Sequence, residues 1–388
     1  MKPEVRPASR SNPVSLGLAA WLGLAAAPLG AAVSVERLPD SGVQPQAVAV
    51  DGTTHLVYLT GDPKAADIVY RTRVGQADWS APVRVNSQAG SAIVIGTIRG
   101  AQLAPGRSGR VHVAWNGSES AEPKPANGGT PMLYARLAGD GKGFSPQRNL
   151  MTTTHELDGG GSVAADAQGN VQVFWHASPA GSSNETNRAV YVAVSTDDGG
   201  AFALERAVSP AGSGACGCCG LTAFARPGGD TFVLFRTARS TTQRGMALLQ
   251  SSDRGGSFRE ILTDPWLVPT CPMSSASVIG AGANGWAAWE TNGRIQSARL
   301  SENEWAPKSR AVGPLQGAKH PRLATNARGE TIVVWTEGTG WQKGGALAWQ
   351  VFDAKGEPTA EKGRSEGIPT WSYATAYAQP SGSFVILF

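Results

Sequence analysis

Along most of the chain apolar residues alternate with polar or small ones in short runs that end in Gly, Asn, Asp or Pro, the period-two signature of strands joined by tight turns. One unit recurs. A short apolar strand leads into a polar turn that closes on Gly, and an alternating strand follows that ends in an aromatic residue six positions later. Gly52 leads to Tyr58, Gly109 to Trp115, Gly169 to Trp175, Gly229 to Phe235, Gly329 to Trp335 and Gly382 to Phe388. A further copy, from Gly285 to Trp289, is two residues shorter. Successive aromatics stand 46 to 60 residues apart, the period of a four-stranded propeller blade. Within a copy, Val111, Val113 and Trp115 take one face and His112 and Ala114 the other.

One blade cannot bury its apolar face alone, so the repeat predicts an all-β propeller in which blade stacks on blade. The count reads as seven blades, with six as the alternative if one unit is decoration. The last copy stops at Phe388, and Val33–Leu38 (VSVERL) is an unpaired strand candidate at the other end. Pairing of these terminal strands is expected to close the ring.

Composition agrees: 49 Gly, 25 Pro and 12 Trp with only 16% charged residues favour strands and turns over amphipathic helices. Residues 1–32 read as a signal peptide, with Lys2, Arg6 and Arg10 ahead of the uncharged run Val14 to Ala32 and small residues at its end. Cleavage is expected after Ala32, leaving residues 33–388 as one domain, exported to the periplasm, without membrane insertion and monomeric. A net charge of +4 without a dense Lys/Arg block gives no reason to expect a nucleic-acid partner. Asn116-Gly-Ser118 and Asn184-Glu-Thr186 match a glycosylation sequon and read as loops, and the Gly159–Gly161 run lacks the context of a phosphate loop.

Two turns carry a sharper signature. Ser195-Thr-Asp197-Asp-Gly199-Gly-Ala-Phe202 and Ser251-Ser-Asp253-Arg-Gly255-Gly-Ser-Phe258 both read S-x-D-x-G-x-x-F, each between two strands. The carboxylate can accept turn amides, and the Gly permits positive φ. Turns at Trp79, Phe144 and Trp305 look like degenerate versions. With these Asp-boxes the chain resembles the sialidase-like BNR-repeat propellers, a resemblance that the repeats extend over nearly all of residues 33–388. The resemblance implies that the Asp-box is structural and lies away from the active site. It also raises the question of exo-alpha-sialidase activity, which in that family uses an Arg-Ile-Pro motif, two further Arg residues that clamp the substrate carboxylate, a Tyr nucleophile with a Glu partner and an Asp acid/base. No Arg-Ile-Pro occurs here; Arg99, Arg322 and Tyr373 are the nearest candidates, and no Glu stands out beside Tyr373. The expected catalytic set is therefore empty, with a sialidase-type glycoside hydrolase as the alternative reading.

All four cysteines fall in two places, Cys216-Gly-Cys218-Cys219 and Cys271-Pro-Met273. Both precede the innermost strand of their blades, so neighbouring blades are expected to bring them together at the channel mouth. His155 and His320 hold the corresponding connections of the flanking blades. As thiolates with a thioether this is a soft set that favours Cu(I), with Zn(II) as the alternative metal. Disulfides, usual for an even number of Cys in an exported protein, and a redox dithiol remain open alternatives. The leading expectation is a non-catalytic propeller holding Cu(I) for homeostasis or delivery to a periplasmic protein partner; a disulfide-stapled protein-interaction propeller is the remaining one. Trp341 and Trp371, near the blade mouths, could stack on a sugar.

Overall fold

The computed structural model describes residues 1, 3, 31–179, 181–281, 284–301, 309–313 and 317–388. The expected leader, with Lys2 and residues 4–30, lies almost wholly outside the described residues, as does the turn at Trp305. Ala31 is buried against the final blade, and the Ala32 carbonyl accepts the Phe384 N–H at 2.8 Å.

Seven sheets form a seven-bladed propeller; six of them have four antiparallel strands and one has three. Blade 1 comprises Val43–Val50, Thr53–Asp62, Ala65–Val74 and Val83–Arg84; blade 2 comprises Gln102–Pro105, Val111–Asn116, Met132–Arg136 and Arg148–Asn149. Blade 3 comprises Ser162–Ala165, Val171–Ala177, Ala189–Ser195 and Arg206–Ala207; blade 4 comprises Thr222–Ala225, Thr231–Arg236, Met246–Ser251 and Arg259–Asp264. Blade 5 comprises Ser277–Ala281, Asn284–Thr291, Arg294–Ser301 and Ser309–Val312; blade 6 comprises Ala318–Thr325, Thr331–Glu337, Gly345–Phe352 and Pro358–Ile368. Blade 7 has Thr375–Ala378 and Phe384–Leu387, and the amino-terminal strand Val33–Glu36 completes it. That closing strand runs parallel to Phe384–Leu387, with Val33 opposite Phe384, whereas neighbours inside the other blades run antiparallel.

Each second strand is covered on both sides by neighbouring blades, so all six residues of Val111–Asn116 are buried, the polar face included. The repeat aromatics sit in these inter-blade layers. Trp115, Trp175 and Trp289 are among the largest fully buried side chains, and truncating one costs about 3–5 kcal/mol. Asn116 of the first sequon ends such a strand and donates to the Gly159 carbonyl at 2.8 Å, so it is buried rather than in a loop.

The Asp-boxes lie between the third and fourth strands of blades 3 and 4. In each, the Ser hydroxyl bonds the carboxylate at 2.7 Å and takes the Gly N–H, while the carboxylate accepts an amide four residues on at 2.8 Å. The aromatic reaches across to the preceding blade. Phe202 meets Tyr134 edge-on, and Phe258 meets Phe174 in the same way. Phe144 and Trp79 repeat this against Tyr70 and Tyr377, so the degenerate turns serve the same inter-blade joint.

Hydrogen bonds from the Ser257 amide, the Ser251 hydroxyl and the Ser257 hydroxyl hold Asp253 down to about 2. Its folded value thus lies below the unfolded one, so its contribution is complete above roughly pH 4 and is lost as pH falls through about 2. Asp253→Asn is expected to lower stability at pH 7 by at most about 1 kcal/mol. Thermal melts should show the gap to the parent protein closing near pH 2; a gap of constant size would contradict the assignment.

At the end of the ring where the chain enters each inner strand, six blades place a non-glycine residue at positive φ: Gln44, Thr97, Glu156, Met273, His320 and Trp371. Such residues are costly one at a time. Repetition around the ring marks them as the corner that turns each connection toward the axis. Two positions further on stand Gln46, Arg99, Asp158, Ser275, Arg322 and Tyr373, and Cys219 holds that place in blade 4. Here loops of non-adjacent blades approach one another. A side-chain carbon at Gly220 of blade 4 would lie 3.6 Å from the Ile98 carbonyl of blade 2, and one at Gly100 of blade 2 would lie 3.2 Å from the Tyr373 hydroxyl of blade 7. Contacts between non-adjacent blades arise only where the blades converge.

Candidate metal centre

Cys216, Cys218 and Cys219 occupy the connection into the inner strand of blade 4, as expected, and their sulfurs lie within 4.8 Å of one another. Cys216 Sγ is 3.3 Å from Cys218 Sγ and 3.6 Å from Cys219 Sγ. These separations exceed a disulfide bond of about 2.0 Å, and all four cysteines are free. Cys216 and Cys219 are buried and Cys218 is half-buried.

The local backbone explains the convergence. Cys216 N–H is tied to the Arg236 carbonyl at 3.0 Å and Cys219 N–H to the Cys216 carbonyl at 3.3 Å, so the loop closes a tight turn. At Gly217 a side-chain carbon would meet the Asp158 carboxylate and the Arg188 guanidinium, which would have to move aside. Gly217 N–H is held at 3.1 Å by the Glu185 carboxylate, which also pairs with Arg244 at 2.8 Å.

Cations surround the sulfurs. Arg244 donates from Nη1 to Cys216 Sγ at 3.2 Å. Arg236, fully buried, pairs with the equally buried Glu290 at 3.2 Å and donates to the Arg244 and Glu290 carbonyls. Burial opposes ionisation of Cys219, but hydrogen bonds from Cys216 and Cys218, the charge of Arg236 and the Ser274 amide outweigh it and hold that thiol well below its ordinary range. Hydrogen bonding to Cys216 and Cys219, reinforced by burial, pushes Cys218 far upward. Three converging sulfurs, one of them biased toward the thiolate, are a nucleus for a thiophilic ion, since the metal ligand is the thiolate.

The second motif reaches this place through its backbone. Gly220 N–H donates to the Ser274 carbonyl at 3.0 Å, so the two loops touch. Cys271 itself is exposed and stands outside the three-sulfur set. Met273 and His320 come together elsewhere, lining a shallow groove with Thr97, Lys319 and Trp371. His320 bonds the Ser275 hydroxyl at 3.2 Å and stacks on Tyr373, and burial, with Arg322 and Lys319 nearby, pulls it down to about 3. His155 pairs through its backbone with Ser178. Trp371 meets the exposed Trp341 at 6.3 Å between ring centroids.

The residues nearest to a sialidase pattern are engaged with one another. Arg322 donates to the Ser275 hydroxyl and the Ala276 carbonyl, and its guanidinium lies 4.3 Å from the centroid of the buried Tyr373 ring. Arg99 pairs with Asp158 at 2.8 Å.

His176, Arg236 and Arg244 are residues of this centre that sequence reasoning passed over. A signal existed: the residue after the repeat aromatic is polar and buried in five blades, at Asn116, His176, Arg236, Glu290 and Thr336. His176 is fully buried, burial and the charge of Arg188 pull it down to about 4, and neither ring nitrogen has a hydrogen-bond partner among the described residues.

No family model matches the chain, and no curated protein matches it. Among solved structures, a Hadza microbial sialidase aligns at TM-score 0.52 and 12% identity, covering 84% of this chain and 69% of its own. The Trypanosoma rangeli sialidase aligns at TM-score 0.53 and 13% identity, over 79% of this chain and 54% of its own. This protein therefore has a sialidase-like β-propeller fold and spans about half the length of the trypanosomal enzyme. At such identities the likeness is one of scaffold, and scaffolds of this kind host unrelated functions.

Proposed function

We propose that the protein is an exported, non-catalytic propeller that binds one soft metal ion, Cu(I), through Cys216, Cys218 and Cys219, in metal homeostasis or delivery to a partner in the periplasm. The observation that carries the reading is the convergence of three sulfurs within 4.8 Å at a buried point, ringed by Arg236 and Arg244. Thiolates select Cu(I) and Zn(II) over hard cations. Burial argues against a redox dithiol, because the sulfur best able to attack, Cys219, is 1% exposed. Cys271 and Met273 ride on the adjoining loop but stand outside the three-sulfur set, so they are not part of the proposed ligand shell. Sialidase-type hydrolysis has the scaffold in its favour, yet Arg322 and Tyr373 are committed to each other.

Anaerobic titration with Cu(I) in competition with a colorimetric chelator tests the proposal. One equivalent should bind with the loss of three titratable thiols. Binding without thiol loss, or turnover of a fluorogenic sialoside by the untreated protein, would overturn it.

A further inference from the structure

In blades 2, 4 and 6 the buried polar residue after the repeat aromatic makes a side-chain hydrogen bond. Asn116 of blade 2 donates to Gly159 in the inbound loop of blade 3. Arg236 of blade 4 reaches Glu290 of blade 5, and Thr336 bonds the Lys319 carbonyl in the inbound segment of its own blade. His176 holds this position in blade 3, where the next inbound loop is the one that carries the three sulfurs. A side-chain carbon at Gly159 would collide with His176 Nδ1 and lie 2.8 Å from the Cys219 carbonyl oxygen, so imidazole and cysteine loop border the same small space. Asn116, Arg236 and Thr336 each make a side-chain hydrogen bond; His176 makes none with either nitrogen among the described residues. An orphaned buried polar group costs about 1–3 kcal/mol. Exchange for an apolar residue would remove that cost, whereas an imidazole beside cysteine sulfurs is what a metal ion takes as a nitrogen donor.

Resting on the reading of the cysteine cluster as a metal centre, we propose that His176 supplies a fourth ligand, making the site three sulfurs and one imidazole nitrogen. The imidazole stands outside the 4.8 Å sulfur set, so the ion draws it and Cys219 together. Glycines at 159 to 161 and at 217 and 220 flank that movement. A three-sulfur, one-nitrogen set is a tetrahedral arrangement that Zn(II) and Co(II) share, so it widens the site beyond an ion satisfied by sulfur alone.

The full chain, reduced and loaded anaerobically with Co(II) as a spectroscopic probe, tests this. The parent protein should show visible bands of tetrahedral intensity. His176→Gln should shift those bands and weaken Co(II) at least tenfold, while His320→Gln, an equally buried histidine outside the cluster, should leave both unchanged. His176→Leu should bind as poorly and keep or raise the melting temperature of the metal-free protein, which a merely structural histidine would not do. X-ray absorption of the loaded parent, independent of any variant's folding, should require one imidazole nitrogen in the first shell. A sulfur-only shell, or parent-like Co(II) spectrum and affinity in His176→Gln, overturns the assignment and leaves the cysteine site standing. Failure of the parent to take up either Co(II) or Cu(I) overturns both.

Discussion

Replacing Cys219 with serine is expected to weaken Cu(I) binding at least 100-fold, about 2.7 kcal/mol or more, and to reduce thiol loss on loading to a background level. Of the three sulfurs this one is biased most toward the thiolate, because hydrogen bonds from Cys216 and Cys218, the charge of Arg236 and the Ser274 amide lower it. A serine hydroxyl offers no soft donor, so the set is reduced to two sulfurs. Cys271→Ser should change the affinity by less than about threefold at this resolution of tenfold per 1.4 kcal/mol, since that thiol is exposed and outside the set. Chelator competition on the two variants decides the matter: a large loss for Cys271→Ser with little for Cys219→Ser would move the site to the neighbouring loop.

The largest stability effect is expected at Arg236→Met. The guanidinium is 1% exposed, pairs with Glu290, donates to two backbone carbonyls and lies 4.9 Å from the centroid of the Trp266 ring. Its removal strands a carboxylate in the interior, and breaking a buried pair from one side costs about 3–5 kcal/mol. Burial already raises Glu290 above its usual range while Arg236 pulls the other way; without the arginine it rises further. A carboxyl whose folded value exceeds its unfolded one is relieved on acidification, so the deficit should be full at pH 7 and shrink as pH falls toward about 4. Urea unfolding at both pH values measures this, and Arg236→Met with Glu290→Leu should recover part of the loss. A deficit under about 1 kcal/mol, or one that ignores pH, would show that the pair is not as isolated from water as its burial implies.

The propeller was legible because its signal is periodic. The spacing from Gly52 to Tyr58 and its counterparts marks the turn and the buried ring of every blade, and the shortened copy ending at Trp289 still fills the same layer. Terminal closure was legible too, since a strand candidate was left over at one end and a blade was short at the other. The parallel sense of that pairing was not, because nothing in VSVERL records the direction from which it arrives.

The site was half legible. Sequence position put both sulfur motifs on inbound loops, and the Gly220–Ser274 hydrogen bond shows that those loops touch. What spacing could not give is which way each side chain faces. Met273 and His320 drew notice as soft or basic residues, yet each occupies the positive-φ corner that recurs in six blades and lines a separate groove. Arg236 was invisible for the opposite reason, because an arginine in a strand of period two reads as solvent-facing until both faces are known to be covered, and Arg244, in the connection before Met246–Ser251, reads as an ordinary loop cation.

At the sulfur-bearing end, loops from blades that are not neighbours come within touching distance: a side-chain carbon at Gly220 of blade 4 would meet the Ile98 carbonyl of blade 2, and one at Gly100 of blade 2 would meet the Tyr373 hydroxyl of blade 7. A larger residue at either glycine would therefore press on two blades at once, and the disturbance would spread over the whole circle instead of staying within one sheet.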